Sequence, residues 1–296
     1  AIKSDRSQKA ITIGATVSVM IPRDPFYRKP IEILSFHPDP FWGQPSSGVD
    51  WCEANYVHSR YVAEFFNTMS SIPMLIVSLW GLFLCIKYQL EIRFYLCWFG
   101  IGVVGIGSVA FHGTLHPTGQ AIDELGMICA SLAFLYVVLE VGHLEARRPW
   151  LPIVEVLYAV GFAVAYFTSP FFFPVFVAIY PATVLLIIHQ AYRVYQHYVA
   201  DDSPSGLWQR CLFWTAAIGY PAGFLFLWVP ENALCPWYPR VFQWLHLHAI
   251  FHIVTTMSPY CYVVFMTYHR CLVLKREAEH RVGIGLAYVH VKEIAP

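Results

Sequence analysis

Charge is what this sequence has least of. Only 13% of its 296 residues are Asp, Glu, Lys or Arg, about half the ~25% usual in a water-soluble domain. Hydrophobic residues make up 57% of the chain and mean hydropathy is +0.51, so an ordinary soluble fold is excluded. Nineteen basic and nineteen acidic side chains cancel to zero. That leaves no basic field to hold a polyphosphate backbone and excludes nucleic acid as a partner. Internal repeats and low-complexity tracts are lacking, which rules out a solenoid. The first 30 residues lack the apolar core of a signal peptide.

What is present in quantity is the long apolar run. A bilayer span needs about 20 mostly apolar residues. Seven segments qualify: 61–85, 92–115, 119–142, 149–168, 170–194, 207–229 and 241–265. Stretches such as SIPMLIVSLWGLFLCI and FFFPVFVAIYPATVLLII are unbroken, whereas barrel strands alternate. The expected fold is an all-α membrane protein, a seven-transmembrane helix bundle. Residues 1–60 form an N-terminal segment, residues 61–268 the bundle and residues 269–296 a C-terminal tail. Loops after spans 1, 3 and 5, together with the tail, carry eleven Lys and Arg, against Arg240 alone in the loops of the other side. The positive-inside rule then sets the C-terminus cytosolic and the N-terminus luminal or extracellular. Of eight cysteines, only Cys52 and Cys235 fall in non-cytosolic segments. An oxidising lumen would allow them to pair, with two free buried thiols as the alternative.

Ionisable groups at membrane depth cost at least about 2.5 to 3.5 kcal/mol each, so those that occur are candidates for function. Span 2 ends in GSVAFHGTL, which puts Ser108 and His112 on one helix face. Span 3 opens with Asp123 and Glu124, and span 7 carries His248 and His252 four apart, with His246 on another face. His112, Asp123, His248 and His252 all approach the non-cytosolic side. A lone transmembrane histidine is more often an interhelical hydrogen bonder, but four such groups converging on one level favour a site. Three imidazoles with an open fourth position are the ligand pattern of catalytic zinc. Asp123 is the nearest carboxylate for a general base, and Ser108 has a hydroxyl for a developing oxyanion. His58 and His116 compete for the ligand roles. His189 lies too far towards the cytosolic end, and His143, His197, His269 and His280 read as solvated.

A second polar group precedes span 1, in DWCEANYVHSRYVAEFFNT. Asp50, Glu53, Asn55 and Glu64 offer hard oxygen ligands with backbone carbonyls between them. That chemistry suits calcium better than zinc, although the EF-hand spacing is absent. Solvated surface acids or helix N-caps are the other reading.

With these motifs in order, the sequence resembles the alkaline ceramidases, within the superfamily of seven-span hydrolases that includes the adiponectin receptors. The resemblance rests on WGQPSSGVDWCEANYVHSRYVAEFFNTMSSIP, on GSVAFHGTL, on the DEL of Asp123 to Leu125 and on HAIFH, over most of residues 42–270. It implies hydrolysis of the ceramide amide bond to a sphingoid base and a fatty acid, with zinc-activated water as nucleophile. It implies zinc on His112, His248 and His252, with Ser108 and Asp123 catalytic. It also implies calcium on Asp50, the Trp51 carbonyl, Glu53, Asn55 and Glu64. The expected setting is the endoplasmic reticulum or Golgi membrane, with a ceramide-type lipid as substrate and no obligate protein partner. HAIFH lacks the tryptophans of the family's motif and Gly126 stands where proline is expected, departures that bear on packing and pocket shape. The alternative is a seven-span zinc-containing receptor, or a hydrolase of the same superfamily acting on another lipid. Against a rhodopsin-like receptor, D-R-Y is lacking after span 3, N-P-x-x-Y in span 7, and so is a span 7 lysine.

Overall fold

The computed structural model describes residues 11–13, 17–19, 39–169, 172–198 and 203–292. Its long helices are α1 (Phe65–Lys87), α2 (Ile92–Thr114), α3 (Pro117–Glu140), α4 (Leu151–Thr168) and α5 (Phe172–Tyr198). Next, α6 (Pro204–Gly223) runs through a π-helical turn, Phe224–Trp228, into α7 (Val229–Leu234). A short α8 (Pro239–Leu245) precedes α9 (Leu247–Val273). Together they make seven helical stretches long and apolar enough to cross a membrane, and the chain is a multi-pass membrane protein. Two small antiparallel hairpins complete the described elements: β1 (Ile11–Ile13) with β2 (Val17–Val19), and β3 (Ala278–Gly283) with β4 (Leu286–Val291).

Span ends shift by a few residues throughout, the sixth running over Pro204–Leu234 and the seventh over Pro239–Val273, and two of the differences bear on the site. The first span begins at Phe65 rather than residue 61, so Glu64 is the N-cap of α1 and not a residue inside it. The seventh is broken, because His246 adopts a left-handed backbone (φ 47°) that ends α8 and lets α9 start afresh at Leu247. The π turn lies between Pro221 and Pro230, both of which lack the N–H a regular ladder needs.

Packing sorts the helices into a core and a periphery. α2 lies closely along α1 and α3, and α6 and α1 lie along α9. In α4 and α5 only 17% of the apolar window is covered, against 67% for the α8–α9 span, so α9 is the buried axis. The α2–α3 approach depends on missing side chains. A Cβ on Gly107 would collide with the backbone of Asp123, and one on Gly119 with that of Phe111. Small residues let membrane helices close to backbone contact in this way.

At one end of the bundle residues 39–64 form a strap. Ser46 and Ser47 donate their amides to the Leu115 carbonyl, and Ala63 and Glu64 donate theirs to Gly113 and His112. At the other end the β3–β4 hairpin packs on α9, α1 and α6. The Tyr260 hydroxyl donates to the Ala287 carbonyl at 2.7 Å, and Tyr88 meets His290 Nδ1 at 2.8 Å. His280 lies between Trp208 and Tyr268 and accepts from the Gln209 amide at 2.9 Å. His269 is buried as well. Reading these two histidines as solvated is therefore corrected: residues beyond α9 fold back onto the bundle and take polar partners with them.

Burial lowers the His280 imidazole from 6.5 to about 4. The undocked hairpin therefore takes up a proton first, and docking weakens as pH falls from about 6.5, with the loss complete below about 4. Hydrogen exchange across residues 278–291 should lose protection by up to about tenfold per pH unit in that window. His280→Phe should flatten the dependence.

Candidate active site and metal centre

α2 ends at the strap and α9 starts beside it, so the two helices bring three imidazoles together. His112, His248 and His252 are buried, with ring centroids 4.5 to 5.1 Å apart. One ligand atom from each lies within 4.8 Å of the others, the one such group of three among the described residues. Their other contacts fit metal ligation. His112 Nδ1 meets the Glu64 carboxylate, and its Nε2 is buried without a partner. His252 Nδ1 faces the Asn67 carbonyl at 3.1 Å and the Ser70 and Ser71 hydroxyls at 2.9 and 3.2 Å. Ligating histidines commonly donate their second ring N–H to a carboxylate or carbonyl, which leaves the far nitrogen for the metal. His248 Nδ1 is buried without a partner, and its ring stacks on Trp51 at 3.7 Å and 15°. The residues present fit a zinc ion.

His248 and His252 line a cavity with about 190 Å³ of open interior, walled mainly by α2, α3, α5, α6 and α9, and the His112 ring lies 4.9 to 5.1 Å from theirs. Ser108 and Asp123 line it on the α2–α3 side. The walls are predominantly apolar, with Glu124 and the hydroxyls of Tyr180, Tyr220, Thr255 and Thr256 also among the lining residues. Ser108 is fully buried, and its hydroxyl pairs with that of Ser71 at 3.0 Å. Asp123 lines the same cavity as Ser108, and Gly107, next to Ser108, lets the α2 and α3 backbones touch at Asp123.

Asp50, Glu53 and Glu64 of the strap are buried too, and each takes part in hydrogen bonds. Glu53 takes the Phe66 and Asn67 amides at 2.7 and 2.9 Å, capping α1. Glu64 takes the Trp51 amide and the Asn67 side chain, and Asn55 donates to Asp50 at 2.9 Å. Both readings of this segment thus meet in one place, since Glu53 is a helix cap and Asn55 Oδ1 is a buried oxygen without a partner. Burial, with Glu64 adding to it, pushes the Glu53 carboxyl up from 4.5 to about 8 against the pull of three backbone amides. Burial likewise raises Glu64 to about 8.

The competing histidines stay outside. His58 and His116 are exposed, the first against Phe65 and Phe66 and the second capping α3; His189 is exposed as well. His246 packs on Phe66 at the α8–α9 break. Four participants went unread in the sequence. Asn67, Ser70 and Ser71 hold His252, and their signal was a run of small polar residues inside a span. Glu231 is the fourth, an acid in the apolar run LWVPENAL. Cys52 and Cys235 are bridged, with Cα atoms 5.9 Å apart.

Three buried imidazoles that could hold a metal ion, beside a largely apolar cavity in a multi-pass membrane protein, mark a candidate membrane enzyme with an apolar substrate. Residues 43–292 match the family model described as Ceramidase. "Alkaline ceramidase 3" of Mus musculus is 31% identical over 257 residues, covering 83% of this chain and 92% of that protein. The "Alkaline ceramidase" of Arabidopsis thaliana is 29% identical over 240 residues, 78% of this chain and 86% of its own. One from Drosophila melanogaster is 27% identical over 265 residues, 83% and 88%. The chain belongs to the alkaline ceramidase family and is an enzyme of that family. Of the two motif departures, Phe251 lines the cavity, while Gly126 faces Val103 and Val104 of α2.

Gly107→Val should push α3 away from α2 and carry Asp123 with it. We expect destabilisation of about 1 to 3 kcal/mol and a fall in turnover greater than the unfolding midpoint alone explains. Gly161→Ala on α4, where a Cβ meets open space, should leave both unchanged or slightly improved. Paired thermal unfolding and turnover measurements check this.

Proposed function

We propose that this protein hydrolyses the ceramide amide bond inside the membrane, at the His112, His248 and His252 centre. The observation that carries the reading is three buried imidazoles beside a cavity whose polar lining includes Ser108 and Asp123. Zinc held by the three imidazoles would supply Lewis acidity towards the amide carbonyl and an activated water. Asp123 takes the proton from the attacking water and returns it to the nitrogen of the departing sphingoid amine, as the new C–O bond forms and the C–N bond breaks. The Ser108 hydroxyl donates to the carbonyl oxygen as negative charge gathers there, a contribution typically worth about 3 to 4 kcal/mol. The apolar walls take the aliphatic chains and keep bulk water from the reacting carbon.

In this reading the strap is luminal and the residues after 269 are cytosolic, in the endoplasmic reticulum or Golgi membrane. The bridged Cys52 and Cys235 on the strap side support that orientation, since disulfides persist in an oxidising lumen. Calcium would be held by Asp50, the Trp51 carbonyl, Glu53, Asn55 and Glu64. The clustering of Asp50 with Asn55 and of Glu64 with the Trp51 backbone, beside an Asn55 oxygen without a partner, supports a cation there.

His112→Ala should lose bound zinc and ceramide turnover together, measured as metal content and released sphingoid base from purified protein. Turnover that survives in the mutant rejects the trihistidine centre. Calcium returned to chelator-treated protein should raise stability, by about 2.7 kcal/mol at a hundredfold excess over Kd. Asp50→Ala should remove that gain while zinc content holds; an equal gain in the mutant rejects the calcium assignment.

A further inference from the structure

The α8–α9 break creates a requirement that the trihistidine centre alone does not meet. Because His246 is left-handed, α9 begins anew at Leu247, and its first amides lack acceptors from a preceding turn. Ile250 recovers one by donating to the His246 carbonyl at 3.1 Å. The amide of His248 is buried with its side chain and needs an acceptor from elsewhere. It donates to Glu231 Oε2 at 2.7 Å.

Glu231 is the one acid in the span Pro204–Leu234, and it is only 2% exposed. Its other oxygen accepts the Cys52 amide at 3.4 Å. Cys52 is bridged to Cys235, one turn after Glu231 on α7. The residue before Cys52 is Trp51, whose ring covers the face of His248. His248 is therefore held twice through one carboxylate: by its amide directly, and by its ring through the Trp51–Cys52 segment that the same carboxylate fixes. A carboxylate suits the place for two reasons. It accepts from two N–H groups that point at it from different elements, and it faces the positive end of α9.

We propose that Glu231 is a positioning residue for the metal ligand His248, fixing the ligand's backbone at the start of α9 and the indole stacked on its ring. The proposal rests on the zinc reading given above. An outer residue of this kind typically changes metal affinity by 10- to 100-fold.

The test is zinc affinity of the purified full chain, by competition with a chromophoric chelator, alongside amide exchange over residues 247–250. Glu231→Ala should bind zinc 10- to 100-fold more weakly and lose protection at those amides, and raised zinc should restore turnover. Glu231→Gln should recover most of the affinity, because its amide oxygen can still accept the His248 N–H. Glu140→Gln is the control: Glu140 is a buried carboxylate that accepts the Arg147 amide and pairs with Arg148 far from the centre. It should lower the unfolding midpoint and leave zinc affinity unchanged. If Glu231→Ala does not fold, Glu231→Asp, one methylene short of the His248 amide, should show the weakened binding. Affinity within threefold of wild type in a folded Ala or Asp variant overturns the proposal alone. Wild-type protein that binds no zinc overturns the zinc reading and this proposal with it.

Discussion

The carboxylate of Glu64 is where the strap, the first helix and the metal centre become one structure. It has no exposed surface, yet it accepts from Trp51 and Asn67 and meets His112 Nδ1. An acid buried this completely is costly unless its lone pairs are used, and here each use ties down a different segment. Trp51 is thereby set over His248, and Asn67 is set so that its carbonyl faces His252. All three imidazoles are oriented through groups that Glu64 holds directly or at one remove. The capping of α1 falls instead to the neighbouring Glu53, which takes the Phe66 and Asn67 amides, and leaves the Glu64 side chain for the ligands.

A second constraint sets the distance between catalytic groups. Ser108 and Asp123 belong to different helices, and side chains as short as theirs can share one cavity wall only if the backbones nearly touch. Gly107 and Gly119 permit that approach, and the tight turn through left-handed Leu115 returns the chain at once. α4 and α5, by contrast, are loosely covered, and α5 contributes mostly apolar lining rather than reacting groups. Phe251, inside the HAIFH motif that departs from the family's, lines the cavity from α9 and packs against His248.

Much of this was legible in the sequence because bilayer burial writes long, unmistakable runs and makes every interior ionisable group conspicuous. The seven spans and the meeting of His112, His248 and His252 could be read from run length and i, i+4 spacing. Other features could not, for physical reasons. The break at His246 depends on one backbone angle in a residue that is not glycine, and nothing in HLHAIFH marks it. Asn67, Ser70 and Ser71 looked like ordinary small polar residues of a packed helix, since their importance lies in which histidine they face. Glu231 was visible as an acid in an apolar run, but its partners are 17 and 179 residues away in sequence, so its purpose emerges only once α7, the strap and α9 are assembled. The residues beyond α9 read as a solvated tail by composition. Alternation over six-residue strands is too short a signal beside seven charged residues, and the hairpin's apolar face shows only when laid against Trp80 and Tyr260.

That hairpin has a consequence for the order in which the molecule is made. Tyr88, at the end of the first span, finds its partner in His290, 202 residues later, and Gly283 packs on Trp80 of the same span. The back half of α9, from Tyr260 to Cys271, is buried on every side partly because the hairpin covers it. During synthesis the first helix therefore enters the membrane with one flank still lacking its neighbour, and α9 stays open to lipid along a face that is closed in the finished protein. Closure waits until β4 has been made, so a seam begun at Tyr88 is sealed by a residue 202 positions later.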